Sequence, residues 1–148
     1  MKTICLYFEI HQNIQLKRYR FFDIGTDHYY YDDYEDERII EDVTERSYMP
    51  ALNAIGEMIK ENGKYFKVAF SLSGVGMEQL EIHAPQVIEK LQELNQTGCV
   101  EFLAEPYSHG LASLANEESF TKEVKRQCQK MKEYFGQEPK VLRNSSLI

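Results

Sequence analysis

Glu9, His11 and Gln12 close one apolar run of the chain, CLYFEIHQ, while Ser71 and Ser73 close a second, YFKVAFSLS. Glu105, Tyr107 and His109 follow a third, CVEFLA, and Arg143 with Asn144 end a short fourth, KVLRN. Carboxylates, imidazoles, amides and aromatic rings without a dedicated phosphate cradle suit an uncharged polyhydroxylated ligand such as a sugar. Two carboxylates approaching one rim from different runs can also serve as a glycosidase pair, which makes Glu9 and Glu105 one candidate pair. His11 and His109 with Glu9 are a second option, as metal ligands, although neither histidine belongs to an HExxH or similarly close pair. There is no GxGxxG, GxxxxGK[ST] or GxSxG, so dinucleotide, P-loop and serine-hydrolase chemistries lack their key residues.

These residues need strands to present them. Residues 2–10, 65–73, 99–104 and 140–144 have strand composition. Helical patterns lie between: one over 38–46, another opened by Pro50 and stopped by Gly63, and a third opened by Pro85 with Val87, Ile88, Leu91 and Leu94 at helical spacing. In the last, Asn116 caps a stripe of Phe120, Val124, Cys128, Met131 and Phe135 that Gly136 ends. Strands alternating with helices imply an α/β fold of parallel β/α units, whose ligands bind at the carboxyl ends of the strands. Alternation puts Ile4, Leu6, Phe8 and Ile10 on one face and Cys5, Tyr7, Glu9 and His11 on the other. In the same way Val68, Phe70 and Leu72 oppose Ala69, Ser71 and Ser73, and Val100 and Phe102 oppose Glu101, Leu103 and Glu105. An unpaired carboxylate in a dry interior is costly, so the polar face is expected to line a wide, wet groove, the alternative being a face open to solvent.

The 148 residues, 43% of them hydrophobic, suffice for a single domain with its own core. A net charge of −7 argues against a nucleic-acid partner. No run approaches a membrane span and the N-terminus lacks a signal-peptide core, so a cytoplasmic protein is expected. Cys5, Cys99 and Cys128, an odd number without CxxC spacing, are expected to be buried free thiols. One segment is biased, residues 21–37, FFDIGTDHYYYDDYEDE, which reads as a solvated acidic loop or a ligand-facing one. It lacks EF-hand spacing.

The stretch Glu9-Ile10-His11-Gln12, then Arg20 to Gly25 and Asp27-His28-Tyr29-Tyr30, resembles the start of the α-amylase-like members of glycoside hydrolase family 57. Val68 to Gly74, Gly98 to Leu103 and Tyr107-Ser108-His109 are similar to the family's next landmarks, in order, and together the match covers nearly the whole chain. The resemblance implies the N-terminal portion, about four strands, of a (β/α)7 barrel that acts on α-glucans by a retaining mechanism with no metal or other cofactor. It implies that His11 and Gln12 occupy the sugar-lining His-Gln-Pro motif, with Asn13 replacing the proline. Glu101 corresponds to the acid of the second motif, and Tyr107 and His109 to further subsite residues.

The family's nucleophilic glutamate ends its fourth strand, where this chain reads Arg143-Asn144-Ser145-Ser146-Leu147. Ser146 takes the nucleophile position in the best alignment, with Ser145 next, and a serine without an adjacent base is a poor nucleophile toward an acetal. The acid/base aspartate belongs to the seventh strand, beyond Ile148. The resulting expectation is an N-terminal fragment of an amylase-like glycoside hydrolase barrel that does not hydrolyse glycosidic bonds as it stands, with an α-glucan or oligosaccharide as its partner. The alternatives are a glycan-binding or regulatory module and a metal-dependent carbohydrate deacetylase. Exposed sheet edges would favour self-association.

Overall fold

The computed structural model describes residues 4–26 and 28–145. Three strands, β1 (Tyr7–Ile10), β2 (Val68–Leu72) and β3 (Val100–Leu103), form a parallel sheet in the order β1-β2-β3. Tyr7 pairs with Ala69 and Ala69 with Glu101; Phe8, Phe70 and Phe102 share the next level, followed by Glu9, Ser71 and Leu103. The period-2 alternation of each run therefore survives in the sheet. The expected fourth strand at 140–144 is reduced to one parallel bridge, Ala104 to Leu142. Ala104 N–H donates to Val141 O and Arg143 N–H to Ala104 O, both at 2.8 Å, so the segment is held at one point beside the end of β3.

Helix α1 (Asp33–Val43) starts five residues before the expected helix at 38–46, because Asp32 accepts a hydrogen bond from Glu35 N–H and serves as N-cap. A π-helical turn, Thr44–Tyr48, joins it to α2 (Met49–Asn62). The last five residues of the biased 21–37 segment, 33–37, are therefore helical. Its Asp36 is buried, accepting from Gln15 N–H at 2.8 Å.

The alternation read from sequence leaves out α3 (Gly74–His83), which precedes α4 (Pro85–Gln96). Gly74, Gly76, Met77, Gln79 and Leu80 are all buried, so α3 has no one-sided apolar stripe to betray it. Ser73 caps it by accepting from Gly76 N–H at 2.9 Å. Helix α5 (Glu117–Phe135) follows the predicted pattern: Asn116 accepts from Ser119 N–H, and Gly136 ends it with φ of 67°. Met131 and Phe135 are its buried anchors, the latter stacked on Phe102 at 4.0 Å. Phe70 and Phe102 are essentially removed from water, which stabilises the core by about 2–3 kcal/mol each. All three cysteines are free; Cys99 is buried as expected, whereas Cys128 is half-buried and Cys5, two residues before β1, is exposed.

Candidate functional site

The carboxyl ends of the strands bring Glu9, Glu105, His109 and Arg143 together. Arg143, carried by the segment bridged to β3, grips Glu9 with two bonds, Nη1 to Oε1 at 2.8 Å and Nη2 to Oε2 at 2.7 Å. Its Nη1 also stands 3.6 Å from Glu105 Oε2. His109 has φ of 52°, a left-handed conformation rare outside glycine, and its N–H closes a turn on Pro106 O at 3.0 Å. That turn places His109 Nε2 3.2 Å from Glu9 Oε1 and Nδ1 3.7 Å from Glu105 Oε1.

Glu105 is wholly buried, where the sequence suggested a wet groove. Its burial is compensated: Ser71 Oγ–H donates to Oε2, and Arg143 lies close by. Gln127 of α5 completes the seal, donating to Leu72 O at 2.9 Å and Leu103 O at 3.2 Å while accepting from Glu105 N–H at 3.4 Å. Glu105 Oε1, His109 Nδ1 and Arg143 Nε are buried without a hydrogen-bond partner. Burial, with a smaller contribution from the Glu9 charge, pushes the Glu105 carboxyl up to about 7, against the pull of Ser71 and Arg143. Burial and the neighbouring His11 hold the His109 imidazole below its ordinary value. Burial thus favours the uncharged form of both the Glu105 carboxyl and the His109 imidazole that faces it.

His11 stacks on His109 with ring centroids 4.2 Å apart and planes inclined by 20°. Tyr107 faces α3 and α5, its ring packed so closely on Gly74 that a Cβ there would fall 2.2 Å from it, and with the Arg126 guanidinium 3.7 Å above the ring. Burial and its bond to Glu78 push the Tyr107 hydroxyl up to about 12. Other residues singled out from sequence stand apart. Gln12 donates to Tyr48 Oη at 3.2 Å, and Asn144 donates to Ser113 Oγ at 3.0 Å. Glu101 is exposed and lines a recess at the amino ends of the strands. Ser145 is buried, and Ser146 lies outside the described residues.

Among the described residues, Glu9, Glu105 and His109 gather ligand atoms within 4.8 Å of one another. The His11–His109–Glu9 set considered from sequence is not the one assembled. Arg143 already holds both oxygens of Glu9, so a dication there would have to displace a guanidinium and remain beside its charge. Gln127 and the Arg143 clamp escape sequence reading because neither occupies a motif; only the buried phase of Gln127 on α5, four residues before Met131, hints at it.

The profile of glycosyl hydrolase family 57 matches residues 5–148. The chain belongs to this family. A Methanocaldococcus jannaschii protein designated "Putative alpha-amylase" is 35% identical over 120 residues, which cover 80% of this chain and 25% of that protein. Three solved structures have the same fold. A GH57-type branching enzyme from Pyrococcus horikoshii superimposes with a TM-score of 0.65 at 17% identity, covering 95% of this chain and 34% of that one. The 4-alpha-glucanotransferase from Thermococcus litoralis gives 0.62 at 17% identity, covering 92% and 18%. A GH57 branching enzyme from Thermococcus kodakaraensis, crystallised with glucose, gives 0.59 at 16% identity, covering 95% and 32%. This family 57 chain spans a quarter of its curated relative and between 18% and 34% of the solved enzymes. Its parallel β/α units are a part of the (β/α)7 barrel. No helix among the described residues is long and apolar enough to cross a membrane.

Proposed function

We propose that this family 57 chain binds α-glucans or oligosaccharides at the carboxyl ends of its strands and does not hydrolyse them. The observation that carries this reading is the convergence of Glu9, Glu105, His109 and Arg143 there, with His11 stacked alongside. The cluster offers donors and acceptors without net demand for a phosphate or a cationic ligand, and the stacked imidazoles give a flat face beside them. The relatives named for amylase, glucanotransferase and branching activities motivate the choice of an α-glucan. The sequence Arg143-Asn144-Ser145-Ser146 supplies hydroxyls where a retaining mechanism needs a carboxylate, which supports binding without cleavage.

Glu9, His109 and His11 would meet the sugar from the rim. Glu105, below them, would tune the site by exchanging its proton with changing pH. Glucose homopolymer is the proposed partner, with neither nucleic acid nor membrane required. Calorimetric titration with maltoheptaose tests the reading. Binding is expected, and His11→Ala or His109→Ala should weaken it by about tenfold or more, equivalent to roughly 1.4 kcal/mol. No reducing sugar should be released. Absence of binding at millimolar maltoheptaose would remove the reading, and hydrolysis abolished by Glu9→Gln or Glu105→Gln would replace it with the carboxylate-pair mechanism.

A further inference from the structure

Both ring nitrogens of His11 are occupied by neighbours in the same chain. Nδ1 lies 2.6 Å from Ser73 Oγ, and Nε2 lies 2.8 Å from Asn13 Oδ1. An amide oxygen can only accept, so the proton resides on Nε2. Nδ1 is then a lone pair, and Ser73 Oγ–H donates to it. The same serine oxygen accepts Gly76 N–H at 2.9 Å, so both of its roles are filled.

The support behind this arrangement is stiff. Ser73 is wholly buried at the start of α3. A Cβ on Gly76 would stand 2.8 Å from Ser73 Oγ and 3.2 Å from His11 Cα, so only glycine lets α3 approach His11 this closely. Across the ring, His109 stacks at 4.2 Å. Asn13, in contrast, is exposed, and its bond to Nε2 faces the open rim.

We propose that Asn13 and Ser73 are positioning residues that fix His11 as its neutral Nε2–H tautomer, and that Nε2–H and Asn13 Oδ1 form a donor–acceptor pair for one sugar hydroxyl. The ligand's identity rests on the α-glucan reading above, whereas the tautomer does not. A hydroxyl group entering between the two atoms accepts from Nε2–H and donates to Oδ1, replacing one internal bond with two. The position where the resembled motif has proline thus supplies an acceptor that proline lacks.

Long-range ¹H–¹⁵N NMR of the ¹⁵N-histidine-labelled chain, at about pH 8 and free of sugar, reads the tautomer directly. Wild type should show a protonated Nε2 and an unprotonated Nδ1 for His11. Free imidazole already leans to this form, so the variants decide. Losing one hydrogen bond in Asn13→Ala should raise the Nδ1–H share about two- to tenfold. Asn13→Asp, which retains an acceptor, should keep the wild-type ratio. Ser73→Ala should shift it as well, and Asn13→Ala provides the answer if that buried change prevents folding. An Nδ1–H tautomer in wild type, or an unchanged ratio in Asn13→Ala, overturns the proposal. Addition of maltoheptaose should then shift His11 Nε2 in wild type and less in Asn13→Ala. Maltoheptaose that moves neither imidazole overturns the hydroxyl pair together with the glucan reading, while the sugar-free tautomer result is judged separately.

Discussion

The two ends of the same three-stranded sheet differ sharply. At the carboxyl end, Ser71, Ser73 and Glu105 are wholly buried, Arg143 nearly so, and most of their polar atoms are paired. At the amino end, an open recess of about 670 Å³ is lined by Leu6, Tyr65, Val68, Cys99 and Glu101, with Tyr65 89% exposed. The strands alternate in the same way throughout, so alternation does not cause the difference. What differs is the chain folded over each end. α3, Gln127 of α5 and the returning segment at Leu142–Arg143 close the carboxyl end, while among the described residues the other end is bordered by residues 4–6 and the turns at Gly63–Tyr65 and Gly98. Buried charge accumulates where returning segments supply its partners.

The largest expected effect comes from removing the cation that joins the two acids. At about pH 8, Arg143→Ala leaves Glu9 and buried Glu105 without their guanidinium and should cost about 3–5 kcal/mol of unfolding free energy, measured by urea denaturation. A loss below about 1 kcal/mol would show that the carboxyl end is not held by this charge pairing.

The next effect is a pH profile. Glu105 has its folded value raised from 4.5 to about 7, so its stabilising contribution is fully present below 4.5 and is lost as pH rises through about 7. The displacement corresponds to roughly 3 kcal/mol. His109 acts in the opposite sense, since its lowered value costs stability as pH falls below the ordinary imidazole range. Comparison with Glu105→Gln largely cancels that contribution. Relative to this variant, wild type should lose roughly 3 kcal/mol between about pH 4 and pH 8, and parallel profiles would contradict the burial of Glu105.

At the other end, Tyr65→Ser should change stability by no more than about 0.5 kcal/mol, because the ring is exposed. A larger loss would mean that the recess is covered in solution, as self-association through the exposed β1 and its flank would produce. Light scattering would distinguish that outcome.

Much of the carboxyl end is legible in the sequence. Period-2 alternation alone put Phe8, Phe70 and Phe102 on one face, and Glu9 and Ser71 on the other with Glu105 just beyond β3. It also placed His11 and His109 near the same rim. It did not reveal that Glu105 is sealed from water, because the sealing residue, Gln127, lies in a helix whose polar residues otherwise read as surface. The Arg143–Glu9 clamp spans 134 residues and no local pattern predicts it. Helix α3 was hidden because it is buried on several sides and opens with two glycines. A strand at 140–144 is more than forms, because strand composition does not say how many neighbours a segment will find; among the described residues this one makes a single bridge, to Ala104 just beyond β3.

The most direct test of the account is an amide-resolved NMR titration of the chain with maltoheptaose. The account predicts shifts confined to residues 9–13, 71–76, 105–110 and 143–145, with residues 64–69 and 98–101 unmoved. Shifts centred on the amino-end recess, or none at millimolar sugar, would contradict it.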